Sequence, residues 1–275
     1  EFRPLFLYIN WRLYLYRYWK YERDLAYIIL SKAAMTCDPI DRELFGKGLD
    51  RLFPSVTEGG PDWQKVAALA ALRKKFSIIS GGPGTGKTST VIKILVLLLE
   101  QEKVEPVRIA LAAPTGKSAM RLKESISRMK EILDCGDSIK EQIPRDVSTI
   151  HRLLGPIRGS VRFRYSDKNP LPYDAVIIDE ASMVALPLMA KLAAALKQNA
   201  RLILIGDRDQ LASVEAGAVL GDMCGGGRQE MFSPEFSDLF ANLACARVPT
   251  AAPGEPLPPL TDSLVILKKN YRFPA

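Results

Sequence analysis

Eight residues, Gly81-Gly-Pro-Gly-Thr-Gly-Lys-Thr88, stand between a short apolar run, Phe76–Ser80, and a long helical pattern, Ser89–Glu100. The spacing is G-x-x-x-x-G-K-[ST], and a strand before it with a helix after it makes the match specific. The glycines let successive backbone N–H groups turn inward, while a helix opening at Lys87 aims the positive end of its dipole at the same point. A phosphate-bearing ligand, a nucleotide, is the expected occupant. Gly82, Pro83, Gly84, Thr85, Gly86 and Ser89 would form its cradle, Lys87 would reach the terminal phosphates, and the Thr88 hydroxyl would coordinate magnesium.

From Pro61 onward short apolar runs alternate with longer helical segments, the pattern of an α/β fold whose parallel sheet carries helices on both faces. Val107–Ala112, Ala175–Ile178 and Arg201–Ile205 are the further strands, rich in Ile, Val and Leu as strands buried on both faces must be. Sheets of this kind bind ligands beyond the carboxyl ends of their strands. Each of these strands runs directly into polar residues, so several loops at one edge are expected to build the site.

Asp179 and Glu180 follow Ala175–Ile178. In one reading Asp179 holds the magnesium shell and Glu180 polarises the attacking water; in the other the pair merely caps a helix. Gly206-Asp-Arg-Asp-Gln210 follows Arg201–Ile205, and Gln210 is a neutral side chain able both to accept from water and to donate to a terminal phosphate. Ala113-Pro-Thr-Gly-Lys117 opens a helix carrying Arg121, Lys123, Arg128 and Lys130, which suits a nucleic-acid phosphate or an ordinary solvated face.

Taken in order, Gly81–Thr88, APTGKSAMRL (113–122), STIHRLLG (148–155), VIIDEASM (176–183) and GDRDQLASVEAG (206–217) resemble the successive motifs of superfamily 1 DNA helicases. With its flanks the pattern is similar to the RecD family, the alpha subunits of exodeoxyribonuclease V, strongly over Pro61–Ala275 and more weakly over residues 1–60. The resemblance implies a P-loop NTPase (RecA-like) motor domain that hydrolyses ATP with Mg2+ and moves 5′ to 3′ on single-stranded DNA. It also implies an adenine-reading role for Gln64, with Lys87 and Thr88 on phosphate and magnesium, and metal binding and water activation by Asp179 and Glu180. Gln210 and Arg272 would sense the terminal phosphate, and Thr115, Gly116, Lys117, Thr149 and His151 would face the DNA strand. For His151, the one histidine, an ordinary partly buried ring is the alternative. Partners implied are RecB-like and RecC-like subunits of a helicase–nuclease heterotrimer for double-strand-break repair. Alternatives are a stand-alone RecD-like motor, the motor of a conjugative relaxase, a nucleotide-binding module without turnover, and a small-molecule phosphotransferase.

Residues 1–30 hold ten of the chain's 22 aromatic side chains. Tyr8, Trp11, Tyr14, Tyr18 and Tyr21 recur at steps of three and four, which predicts one helical face over Tyr8–Tyr21. Such a face serves as the core of a small helical N-terminal domain, as a surface docking a partner subunit, or as a base-stacking platform. Phe53–Pro61 reads as a linker, giving a helical N-terminal region over 1–60 and a motor domain over 61–275. Residues 222–261 lack sustained periodicity and read as a mobile insertion. A net charge of +7 suits a polyanionic partner or a merely basic surface. Cys37, Cys135, Cys224 and Cys245 are too scattered for a zinc site or disulfide framework, and Pro4–Leu30 is broken by charges that exclude a membrane span, so a cytoplasmic location is expected. The missing initiator Met and the end two residues after Phe273 suggest a fragment without the second motor domain, poorly active by itself.

Overall fold

The computed structural model describes residues 6–9, 12–37, 40–54, 60–101, 107–210, 219–225, 231–252 and 254–270. Six strands form one parallel sheet: β3 (Phe76–Gly81), β4 (Ile109–Ala113), β5 (Val147–Thr149), β6 (Ala175–Ile178), β7 (Arg201–Gly206) and β8 (Leu264–Leu267), in the order β5-β4-β6-β7-β3-β8. Alternation along the strands sorts the core into two layers. Ile79, Ile109, Leu111, Ile177, Ile203 and Ile205 join one buried cluster. Ile78, Ala110, Val176, Ile178, Leu202 and Leu204 join the other. Apolar side chains on both faces are what the unbroken apolar runs demanded, and they give the P-loop, RecA-like architecture expected.

On the first face lie α3 (Trp63–Arg73) and α4 (Lys87–Glu100). Val66 to Leu72 of α3 are all buried, and its alanines combine high helix propensity with close approach to α4. On the second face lie α1 (Tyr16–Ala34) and α8 (Leu186–Ala194), joined through Leu25, Ile29 and Ala33 on one stripe of α1. The helix α2 (Arg42–Leu52) buries Phe45, Leu49 and Leu52 in the first layer. A Cβ on Gly48 would come within 2.5 Å of Leu97 Cδ2, so that glycine permits the contact between α2 and α4. The helices before residue 60 therefore share the sheet's two cores, and the linker marks no packing boundary among the described residues.

Lys32 fixes α1 to the sheet in a way the sequence did not announce. Its Nζ donates to the carbonyls of Lys197, Gln198 and Ala200 at 2.9, 2.9 and 2.8 Å, on the turn between α8 and β7.

Two expectations change. The Tyr8–Tyr21 segment is not one helix: β1 (Phe6–Ile9) and β2 (Arg12–Leu15) pair antiparallel, Phe6 with Leu15 and Ile9 with Arg12, and α1 begins at Tyr16. Phe-Leu-Tyr-Ile and Arg-Leu-Tyr-Leu are rich in residues that favour a pleated surface, and pairing outweighed the helical period. Trp11 lies outside the described residues, as do the side chains of Tyr8 and Tyr14. The segment 222–261 is also not without periodicity, because α10 (Pro234–Ala244) lies within it. Ser233 caps α10 with Pro234 at its first turn, and Phe232, Phe236 and Phe240 enter the first core layer. No helix among the described residues is long and apolar enough to cross a membrane.

Candidate nucleotide and nucleic-acid site

Because all six strands run parallel, their carboxyl ends share one edge. Along it the segments stand in the order Thr149–His151 after β5, Thr115–Lys117 after β4, Asp179-Glu180 after β6, Asp207–Gln210 after β7, and the glycine loop after β3. The candidate DNA-facing segments thus occupy one end of this edge and the phosphate loop stands nearer the other, with the acidic pair between them.

Backbone geometry explains the loop's glycines. Gly84 and Gly86 have φ of 82° and 80°, a left-handed conformation that costs other residues free energy, and Gly86 is the N-cap of α4. A Cβ on Gly81 would come within 2.6 Å of Thr85 Oγ1, whose hydroxyl donates to Gly82 O at 2.8 Å. Lys87 lies half-buried at the opening of α4, with Nζ donating to the carbonyls of Gly81 and Gly82. Burial lowers its pKa, opposed by the nearby charges of Asp207, Asp179 and Glu180. Pro83 is exposed, and Thr88 and Ser89 are half-buried in the first turn of α4.

Gln64 sits on α3 beside the loop. Asp62 caps that helix by accepting from Gln64 N at 2.9 Å, which fixes the residue's direction. The buried Gln64 side chain donates from Nε2 to Thr85 O at 3.3 Å. It lines a cleft with Pro61, Trp63 and Leu267, where Lys268 Nζ lies 4.0 Å from the centre of the Trp63 ring.

The acidic pair is built with strain. Asp179 is buried beyond β6, and burial pushes its carboxyl pKa up, reinforced by the Glu180 charge and opposed by the Glu180 N–H and by Lys87. A buried carboxylate held in this way favours a cation beside it. Asp179 and the Thr88 hydroxyl are hard oxygen donors that fit a magnesium ion completed by phosphate and water. No cluster of three or more His, Cys, Asp or Glu with metal-binding geometry exists among the described residues, as an ion held by so few protein groups would not require one. Glu180 has φ 52° and ψ 39°, a left-handed backbone unusual for a non-glycine residue. Its carboxylate accepts from the Ser118 hydroxyl, a partner that sequence reading missed because 62 residues separate the two.

Gly206 ends β7 as it does because a Cβ there would meet Leu220 Cδ2 at 2.5 Å and Ser182 N at 3.0 Å. This close approach lets Ser182 Oγ donate to Gln210 Oε1 at 3.0 Å, tying Gln210 to the turn after Glu180, while Arg208 N donates to Ser80 Oγ at 3.0 Å beside the phosphate loop. Arg272 and residues 211–218 lie outside the described residues.

Thr115 caps α5 (Gly116–Ile132), accepting from Ser118 N at 3.1 Å, with Gly116 and Lys117 exposed in the first turn. Thr149 caps α7 (Ile150–Leu154), accepting from Arg152 N at 3.2 Å. His151 is exposed, its ring 5.8 Å from that of Phe163 in an edge-on contact, rather than the partly buried ring that was the alternative.

The sequence matches the family described as AAA domain over residues 64–216, from Gln64 to beyond Gln210. The chain belongs to that family. It is 42% identical over 95% of its length to "RecBCD enzyme subunit RecD" of Haemophilus influenzae, covering 41% of that protein. It is 48% identical over 81% of its length to the subunit of the same name from Mycobacterium tuberculosis, covering 37%. An "ATP-dependent RecD2 DNA helicase" of Deinococcus radiodurans is 36% identical over 76% of this chain and 26% of that protein. The chain thus spans about two fifths of the RecD subunits it resembles.

Proposed function

We propose that this chain is motor machinery of an ATP-dependent DNA helicase subunit of the RecD type, working 5′ to 3′ on single-stranded DNA in a cytoplasmic helicase–nuclease complex for double-strand-break repair. The observation that carries this reading is the order of segments along the sheet edge, which puts the water-activating candidate between the phosphate loop and the strand-facing loops. In it Gln64 reads adenine, the loop 82–89 holds the phosphates, and Glu180 orients and deprotonates the attacking water. Gln210 and Arg272 respond to the terminal phosphate. Magnesium, held by Thr88 and Asp179, neutralises charge on the phosphates when bound. Thr115, Gly116, Lys117, Thr149 and His151 contact the DNA backbone.

The N-terminal region is the proposed seat of the RecB-like and RecC-like partners. Phe6, Leu13 and Leu15 of the β1–β2 hairpin and Tyr27 and Leu30 of α1 are exposed, and a two-stranded hairpin gains stability from such a cover. A stand-alone motor is the second reading, favoured by the likeness to the Deinococcus radiodurans helicase.

Glu180→Gln and Lys87→Ala in the full-length protein test the first reading. Glu180→Gln keeps the side chain's shape and loses the base, so nucleotide binding persists while turnover falls by roughly a hundredfold or more. Lys87→Ala loses both binding strength and turnover. Normal hydrolysis by Glu180→Gln would overturn the water-activating role.

A further inference from the structure

Three groups at the sheet edge form one hydrogen-bonded chain. The Ser118 hydroxyl donates to Glu180 Oε2, and Ser118 Oγ lies 2.8 Å from Thr115 Oγ1. Counting protons fixes its direction. An ionised carboxylate only accepts; Ser118 has one hydroxyl proton and gives it to Glu180; the contact between the two hydroxyls is therefore donated by Thr115. Thr115 Oγ1 meanwhile accepts from Ser118 N, so both hydroxyl oxygens are engaged.

The ends of the chain differ in exposure. Thr115 is exposed at the opening of α5, Ser118 is buried, and Glu180 is half-buried on a left-handed backbone. β4, which leads to Thr115, pairs directly with β6, which leads to Glu180. No intervening element is needed to connect them.

We propose that Ser118 is a positioning residue that restrains Glu180, and that a nucleic-acid phosphate arriving at Thr115 loosens this restraint, so that strand binding is reported to the water-activating carboxylate. The inference rests on the roles of Thr115 and Glu180 under the proposed function. A phosphate oxygen is a stronger acceptor than a serine hydroxyl and takes the single Thr115 proton. Ser118, no longer polarised by a donor, becomes a weaker donor to Glu180, since hydrogen bonds in a chain reinforce one another. The carboxylate is then free to turn toward water.

The test is ATP turnover by the full-length protein, without DNA and with saturating oligo(dT). Ser118→Ala should raise the DNA-independent rate about tenfold, the scale of one hydrogen bond to a charged group, and shrink the stimulation by DNA in proportion. Thr115→Val should shift the DNA-independent rate the same way, and Thr115→Ser, which keeps the proton, should restore wild-type behaviour. Thr115 is exposed, so its variants carry the test if Ser118→Ala fails to fold. Unchanged rates, or equal losses with and without DNA, would overturn the restraint and leave Ser118 as structural support. Failure of the underlying reading looks different: Glu180→Gln would then retain hydrolysis whatever Ser118 does.

Discussion

Replacing Lys32 with Met tests how α1 is held to the sheet. Met keeps most of the buried stem and removes the ammonium, leaving the carbonyls of Lys197, Gln198 and Ala200 without their shared donor. The Ala200 bond is buried, whereas the other two are partly so and open to water in the variant. One stranded buried carbonyl costs ~1–3 kcal/mol, and each water-replaced bond ~0.5–1. Against this, burial and the Lys75 charge bring the Lys32 pKa down from its ordinary 10.5 to about 8, so the folded state already holds the ammonium at a disadvantage. The net expected loss is about 2–3 kcal/mol, or roughly 5–10 °C in Tm for a domain of this size. The sign with pH follows from the depressed value. Between about 8 and 10.5 the unfolded chain holds the proton that the folded chain has released, so stability rises with pH across that window. Lys32→Met lacks this contribution, and the gap in stability between wild type and variant should widen from pH 8 to 10. Urea unfolding at pH 7, 8, 9 and 10 reads both effects. A variant within ~0.5 kcal/mol of wild type at pH 7, below the scale of a single hydrogen bond, or a gap that narrows with pH, would refute the reasoning.

Phe240→Ala removes a fully buried ring from the core cluster that also holds Phe232 and Phe236, and should cost about 3–5 kcal/mol in a chemical denaturation measurement. Melting like wild type would make α10 a peripheral insertion after all. Single-stranded DNA should bind this chain weakly, with log Kd changing against log salt by about 0.7 for each phosphate contact. Fluorescence anisotropy from 50 to 300 mM salt checks it, and tight binding indifferent to salt would contradict backbone contacts through Thr115, Lys117 and Thr149.

Legibility in the sequence followed the range of the interaction. The phosphate loop, the helix opening at Lys87 and the strand Ala175–Ile178 were read where they occur, because glycine geometry, capping and burial on both faces act within a few residues of one another. Local signals failed where two of them competed. The aromatic steps from Tyr8 to Tyr21 satisfy a helix, yet Phe6–Ile9 and Arg12–Leu15 pair as strands, and only the part from Tyr16 is helical. At α10 the clues of Ser233, Pro234 and the Phe232, Phe236 and Phe240 spacing were present but stood among the prolines and glycines of 222–261. Contacts across the sheet were invisible for another reason: Lys32 meets carbonyls more than 160 residues away, and Ser118 reaches Glu180 only because β4 and β6 are neighbours. Strand order decides which loops touch, and the sequence does not state it. That order gives the site its character, since the same motifs on a differently ordered sheet would keep a phosphate loop and an acidic pair but separate Ser118 from Glu180. The hydrogen bond between them is thus a consequence of topology, and it is where the strand-facing and phosphate-facing halves of the edge meet.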